Sequence, residues 1–300
     1  GICLIINLHS YHIPPTYHLP QASRGRCCSA VHQRTIILKS FKMESKWKDI
    51  VASYPPQAIE FVGTVLVQVI SFWLPSLCYL SLDALFPSFS QRHKLQPALR
   101  QPGRRDIWQC FVVVVQNSVL SMGLHLFQIF VLQRGTSAFR IQASLPPLAE
   151  FLRDFILCIL LREALFYYSH RFLHSPFFYA RIHKRHHKFT APIALAAQYA
   201  HPIEHIVANS LPISLPPQIL GSHILTFWAF LAYELANTAT VHSGYDFFKN
   251  KAKMHDLHHE KFNLNYGSIG LLDWLHGTDK LEKKRKDVFT TGGAGSALKY

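Results

Sequence analysis

Two stretches of this chain run without Asp, Glu, Lys or Arg for longer than a bilayer is thick. Glu60 and Asp83 bracket 22 such residues rich in Val, Leu, Ile and Phe, and Asp106 and Arg134 bracket 27 more, including the apolar run 111–115. A hydrocarbon core of about 30 Å is crossed by about 20 apolar residues in a helix. A helix on the surface of a water-soluble fold keeps a charged face, so both stretches read as membrane spans. Composition points the same way. Hydrophobic residues make up 49% of the 300 and charged ones 16%, against about 25% charged in an ordinary soluble domain. So apolar a chain is not intrinsically disordered, a state that requires low hydrophobicity.

A third apolar segment, 149–168, carries Arg153, Asp154, Arg162 and Glu163, and a fourth, 206–233, is uncharged but interrupted by Pro212, Pro216, Pro217 and Gly221. The fourth is expected to be a helical hairpin broken near 216–221, because proline removes a backbone donor and glycine permits the turn. The fold class expected is therefore all-α, an integral membrane protein with about four transmembrane helices. Arg92, Lys94, Arg100, Arg104 and Arg105 crowd the loop between the first two spans, which puts that loop in the cytosol by the positive-inside rule. Counting onward brings the chain after Tyr168 to the same side. The net charge of +14 then suits anionic headgroups, notably through the basic cluster 280–286, and not nucleic acid.

The chain divides into four expected regions. Residues 1–42 mix His, Pro, Cys and Arg without periodicity and read as a poorly ordered or non-native extension, with Met43 the expected start of the functional chain. Residues 43–148 form an N-terminal transmembrane region, 149–280 a catalytic region and 281–300 a basic tail. The six cysteines show no CxxC pair or regular spacing, so neither a disulfide framework nor a thiolate zinc site is indicated.

The 19 histidines are unevenly spread. Three groups lie where the chain would leave the bilayer: His170 and His174; His183, His186 and His187; His255, His258 and His259. Spacings of three and four place side chains on one helix face, so each group can aim two or three imidazoles at one point. Imidazole suits zinc, iron, copper and nickel. Eight histidines overfill one tetrahedral structural zinc site and fit two metals, each with an open position. Ligand type alone leaves zinc open, although a dinuclear zinc hydrolase would be expected to add carboxylates. An all-histidine pair at a membrane surface points to iron and dioxygen. His242 is expected as a ninth ligand. His201 and His205 are candidates for further ligands or for groups supporting the ligands, and Asp256, Glu204, Asp246 and Glu163 are candidate acceptors for the outer ring nitrogens. His125 and His223 read as structural residues and His276 as part of a turn. Tyr167, Tyr199, Tyr245 and Tyr266 suit an interfacial belt.

These residues resemble the fatty acid hydroxylase, or sterol desaturase, superfamily of membrane di-iron oxygenases, nearest to C-4 methylsterol oxidases and fatty-acid-hydroxylase-domain relatives. The resemblance rests on Tyr168-Ser169-His170-Arg171 with His174, Ile182-His183-Lys184 through His186-His187-Lys188, Thr190-Ala191-Pro192, and Tyr199-Ala200-His201-Pro202. It continues through His242-Ser243-Gly244-Tyr245-Asp246, His255-Asp256 with His258-His259, Asn265-Tyr266-Gly267, and Leu272-Asp273-Trp274 to Gly277-Thr278-Asp279. It is specific over about 150–280.

The resemblance implies an endoplasmic-reticulum enzyme with a cytosol-facing histidine-rich helical cap, using dioxygen and two Fe ions held by the eight histidines, with His242 matching a further motif histidine. Electrons would come from NAD(P)H through separate proteins, cytochrome b5 or its reductase, since the chain has neither GxGxxG nor HPGG. The expected reaction is oxidation of an unactivated C–H bond of a lipid, foremost the C-4 methyl of a sterol. The alternatives are a hydroxylase or desaturase of a fatty acyl chain or terpenoid metabolite, and a non-catalytic metal-binding membrane protein. Gln198 stands where methylsterol oxidases usually have Glu, and Phe248 where a proline-tryptophan turn is common. Both departures bear on sterol specificity and neither touches a metal group.

Overall fold

The computed structural model describes residues 44–133, 135–248 and 250–281. The segment 1–42, Met43 and the basic tail from 282 onward, with the expectations placed on them, lie outside the described residues. The helical bundle and its cap fall within one unit, Lys48–Tyr300.

Helix α1, Pro56–Leu85, and α3, Arg104–Leu132, are the two uncharged stretches, and each is long and apolar enough to cross a membrane. A short helix α2, Pro87–His93, follows α1. Helix α4, Leu148–Leu173, has 26 residues, about 39 Å at 1.5 Å per residue. It is long enough to cross a membrane but carries more charge than the three helices that qualify by both length and composition among the described residues. Its charges are partnered: Glu150 with Arg140, Asp154 with Arg153 at 2.7 Å, and Arg162 with Glu234 at 3.0 Å. Val62, Leu66 and Ile70 on α1, Val119 and Phe130 on α3, and Leu152 and Ile156 on α4 stay exposed, as side chains facing lipid would.

The hairpin expected over 206–233 forms, and its break falls at Gly221, within the expected 216–221. Helix α6 covers 202–219 as Pro202–Glu204, a π-helical turn His205–Ser210 and Leu211–Ile219, with Pro216 and Pro217 inside it. The chain reverses at Gly221, whose φ of +58° is a conformation glycine adopts without penalty. The last turn closes on the proline carbonyls, with Leu220 N–H donating to Pro216 O at 3.1 Å and Ser222 N–H to Pro217 O at 2.9 Å. The second limb, α7, Ile224–Val241, is the third helix apolar enough to span. Two of the three π-turns among the described residues sit just before a proline, and the third, Gln128–Leu132, does not. Pro75 and Pro212 displace the carbonyl four residues earlier, and the wider turns Val69–Trp73 and His205–Ser210 absorb the extra room.

Helices α1 and α7 meet closely at Gly63, where a Cβ would lie 1.9 Å from the Trp228 ring. Beyond the spans come α5, Pro176–Arg181, α8, Lys251–Lys261, and α9, Leu271–His276, with 3-10 turns at His183–Lys188 and Ala194–Gln198 between α5 and α6. These short elements cap the bundle.

Candidate metal centre

Nine imidazoles converge in the cap as two groups: His170, His174, His183, His187 and His258 in one, and His186, His242, His255 and His259 in the other. On the α-helices the sorting follows residue spacing. On α4, His170 and His174 stand one turn apart and stay together, as do His255 and His259 on α8. In each HxxHH motif the two histidines four residues apart stay together and the middle histidine goes to the other group. So His258 joins the group of His183 and His187, while His186 joins that of His255 and His259. Each HxxHH motif therefore serves both groups. His242 caps the end of α7 and completes the second.

The outer ring nitrogens are fixed first. Nδ1 of His170 lies 2.7 Å from Tyr266 O, Nδ1 of His258 2.7 Å from Leu264 O, Nδ1 of His242 2.8 Å from Thr238 O, and Nδ1 of His186 3.3 Å from Tyr199 O. A carbonyl only accepts, so each of these Nδ1 atoms carries the proton and each Nε2 presents a bare lone pair. His183 Nδ1 meets Glu204 Oε1 at 2.8 Å. The inner nitrogens then face one another: His183 Nε2 is 3.1 Å from His170 Nε2, 2.9 Å from His174 Nε2 and 3.1 Å from His187 Nε2. In the second group, His255 Nε2 is 2.8 Å from His242 Nε2 and 3.0 Å from His259 Nε2.

Opposed lone pairs at such distances repel unless a cation lies between them. Two nitrogens each about 2.0–2.1 Å from one cation sit about 2.9–3.4 Å apart, at angles between square and tetrahedral, which matches the spacing found. The buried His258 Nε2 has no protein partner. The donor set thus fits a cation in each group. Burial, reinforced by neighbouring imidazoles, pushes His174 down to about 2 and His242 to about 3, and burial pushes His186 to about 4. All three are neutral at pH 7, the form that ligates metal.

Of the expected acceptors, Glu204 alone reaches an imidazole among the described residues. Asp256 instead accepts from Gln96 Nε2 at 2.6 Å, because on α8 it faces away from its histidine neighbours. Asp246 pairs with Lys253 at 3.1 Å and accepts from Asn250 N. His201 belongs to neither group: it ends the loop before α6, where its Nδ1 accepts from Ile203 N at 3.2 Å. His205 also lies outside both groups, with Nε2 2.8 Å from Ser121 Oγ. His125 pairs with buried Glu60 at 2.9 Å, His223 caps α7, and His276 ends α9 against Tyr167. Of the four tyrosines read as a belt, Tyr167 and Tyr245 are wholly buried.

The sequence pointed to side-chain carboxylates, but most of the acceptors are backbone carbonyls, which leave no residue-type signature. The placement of one of them, Tyr266 O, depends on Glu163 and Asp273. Glu163 Oε2 accepts from Ser268 N at 2.8 Å and Ile269 N at 3.0 Å, and Oε1 from Leu272 N at 3.2 Å. Asp273 accepts from Tyr266 N at 2.8 Å and Gly267 N at 2.6 Å. Gly267 is required here: a Cβ would lie 2.6 Å from Glu163 Oε1 and 2.8 Å from Asp273 Oδ2. The two carboxylates thereby hold Tyr266 O against His170.

A second clamp joins the cap to the segment after α2. Lys94 Nζ pairs with Asp83 at 2.8 Å and donates to Ser243 O at 3.1 Å, while Tyr245 OH donates to Asp83 Oδ1 at 2.5 Å. These contacts hold the turn that follows His242.

A cavity of about 230 Å³ runs from His170, His183, His186, His242 and His255 down between α3, α4, α6 and α7. Phe139, Phe166, Phe227, Leu231 and Leu235 give it apolar walls. A lipid segment can lie in it with one carbon against the histidines.

A family profile described as fatty acid hydroxylase matches residues 155–278. The chain is 36% identical over 251 residues to human fatty acid hydroxylase domain-containing protein 2, covering 81% of this chain and 74% of that protein. It is 30% identical over 253 residues to methylsterol monooxygenase 1 of Gallus gallus, covering 79% and 82%. It is 33% identical over 227 residues to fatty acid hydroxylase ahd1 of Mycosarcoma maydis, covering 72% and 59%. No solved structure matches.

Proposed function

Because this chain belongs to the fatty acid hydroxylase family, we propose that it is a membrane di-iron oxygenase that oxidises an unactivated C–H bond of a lipid, foremost the C-4 methyl of a sterol. The carrying observation is the opposed set of bare Nε2 atoms, which calls for a cation in each of two groups that contain no carboxylate. The donor chemistry admits iron, and iron would supply the activation of dioxygen. The overall change is RH + O2 + 2 e⁻ + 2 H⁺ → ROH + H2O, with electrons passed from NAD(P)H by cytochrome b5 or its reductase.

The protein's own part is to hold and to exclude. Glu204 and the four carbonyls fix the imidazole tautomers, so that five nitrogens per chain point inward as lone pairs. The apolar cavity aligns the lipid and keeps water from the reacting carbon. The basic loop holding Arg92 and Arg100 supports a cytosolic cap, and the expected compartment is the endoplasmic reticulum.

A fatty acyl or terpenoid substrate is the second reading, favoured by Gln198, which lines the cavity where the sterol enzymes usually have Glu. Purified protein supplied with reductase, cytochrome b5 and a 4,4-dimethylsterol tests the proposal. About two irons per chain and oxidised sterol are the expected result. Two irons with product only from another lipid would replace the sterol. Zinc that iron cannot displace, with no oxygen uptake on any lipid, would overturn the oxygenase.

A further inference from the structure

His205 is a candidate ligand by its place in the sequence, yet it points at neither histidine group. It lies 4% exposed on the π-helical turn His205–Ser210 and lines the cavity. Its Nε2 is engaged by Ser121 Oγ at 2.8 Å, and its Nδ1 is buried without a partner. Asn209 follows four residues later on the same turn and lines the same cavity, and its Nδ2 is also buried without a partner. Ser121 Oγ and Ser210 Oγ, 3.4 Å apart, stand between the two helices that carry them. Unpartnered buried polar atoms are costly, and π-turns recur at functional sites. One amide donor and one ring nitrogen able to accept, on one helix face, match the two hydrogen-bonding roles of an alcohol.

The depth is also informative. Asn117 donates to Gln198 O at 2.9 Å and Ala200 O at 3.1 Å, the strand of chain whose Tyr199 O holds His186. Ser121 lies one turn further along α3, about 6 Å deeper. His205 and Asn209 line the same cavity as His170, His183, His186, His242 and His255, so a lipid held by its hydroxyl at the first pair extends toward the histidines. Charge disfavours a fatty acid carboxylate as the anchored group. Among the described lining residues the single guanidinium, Arg162, has its charge matched by Glu234 at 3.0 Å, although its Nη1 has no hydrogen-bond partner.

We propose that His205 and Asn209 form a subsite that reads the hydroxyl of a neutral lipid alcohol and sets which carbon faces the metal centre. The proposal rests on the oxygenase reading for its consequence, but its test does not need turnover.

Full-length protein in detergent would be titrated with lipid pairs, each an alcohol and its methyl ether: a 4,4-dimethylsterol, a long-chain alcohol and a prenyl alcohol. For at least one pair the alcohol should bind ten-fold or more tighter than the ether. In N209L and H205F that ratio should fall to near one while ether affinity changes less than three-fold. A general structural role would weaken both members of the pair alike and would overturn the assignment. So would equal binding of alcohol and ether throughout, the absence of binding by any pair, or a free fatty acid binding tighter than every alcohol. If discrimination persists in a protein that consumes no oxygen, the subsite stands and the oxygenase reading falls.

Discussion

Replacing Glu204 by Gln separates the charge of this carboxylate from its shape. Oε1 receives the His183 Nδ1 proton at 2.8 Å, with the two side chains only 3% and 1% exposed. Burial holds the Glu204 carboxyl well above its usual range, so its ionised form depends on positive charge nearby, and a cation bound through His183 would provide it. Gln keeps an acceptor but loses the charge-assisted part of the bond. Such bonds are worth about 1.5–3 kcal/mol against about 1 for neutral ones. The loss of roughly 1.4 kcal/mol corresponds to about ten-fold in metal affinity. Glu204→Ala strands the Nδ1 proton as well, and should approach the hundred-fold end of the range for partners behind metal ligands.

The assay is chelator competition on the full chain in detergent, read as iron or zinc per protein. His183 belongs to the five-histidine group, so the weakening should fall on one of two bound metals. If E204Q holds both metals as tightly as the parent, or loses both equally, the role given to Glu204 is wrong.

Gly267→Ala should destabilise by about 1–3 kcal/mol, since its Cβ meets two carboxylates that are themselves anchored; an unchanged Tm would refute the clamp. Gly63→Ala should lower Tm through the Trp228 ring, and Trp228→Leu in the same chain should recover part of the loss; a double mutant no better than the single one would contradict that contact. Metal-free protein should lose stability as pH falls below about 6.5. The unfolded chain then takes up protons that His174, His186 and His242, held to about 2, 4 and 3 by burial, still refuse. Each contributes about 1.4 kcal/mol per pH unit down to its folded value, and a Tm flat between pH 7 and 5 would exclude it.

Local rules were enough to specify the helical class, the two uncharged spans and the nine histidines that meet. Twenty or so apolar residues need a bilayer or a core, and spacings of three and four select a helix face. The hairpin was legible too, with its break at Gly221 inside the expected 216–221. Within it, Pro216 and Pro217 lie inside α6, which runs to Ile219 before the turn at Gly221. How the histidines divide, with each HxxHH motif split between the two groups, and what stands behind them depended on the folded chain. Asp256 and Asp246 had the right chemistry close by in sequence and turned elsewhere. The carbonyls of Tyr266, Leu264, Thr238 and Tyr199 took the role instead. Every residue has a carbonyl, so only the path of the folded backbone selects the ones that meet a ring nitrogen.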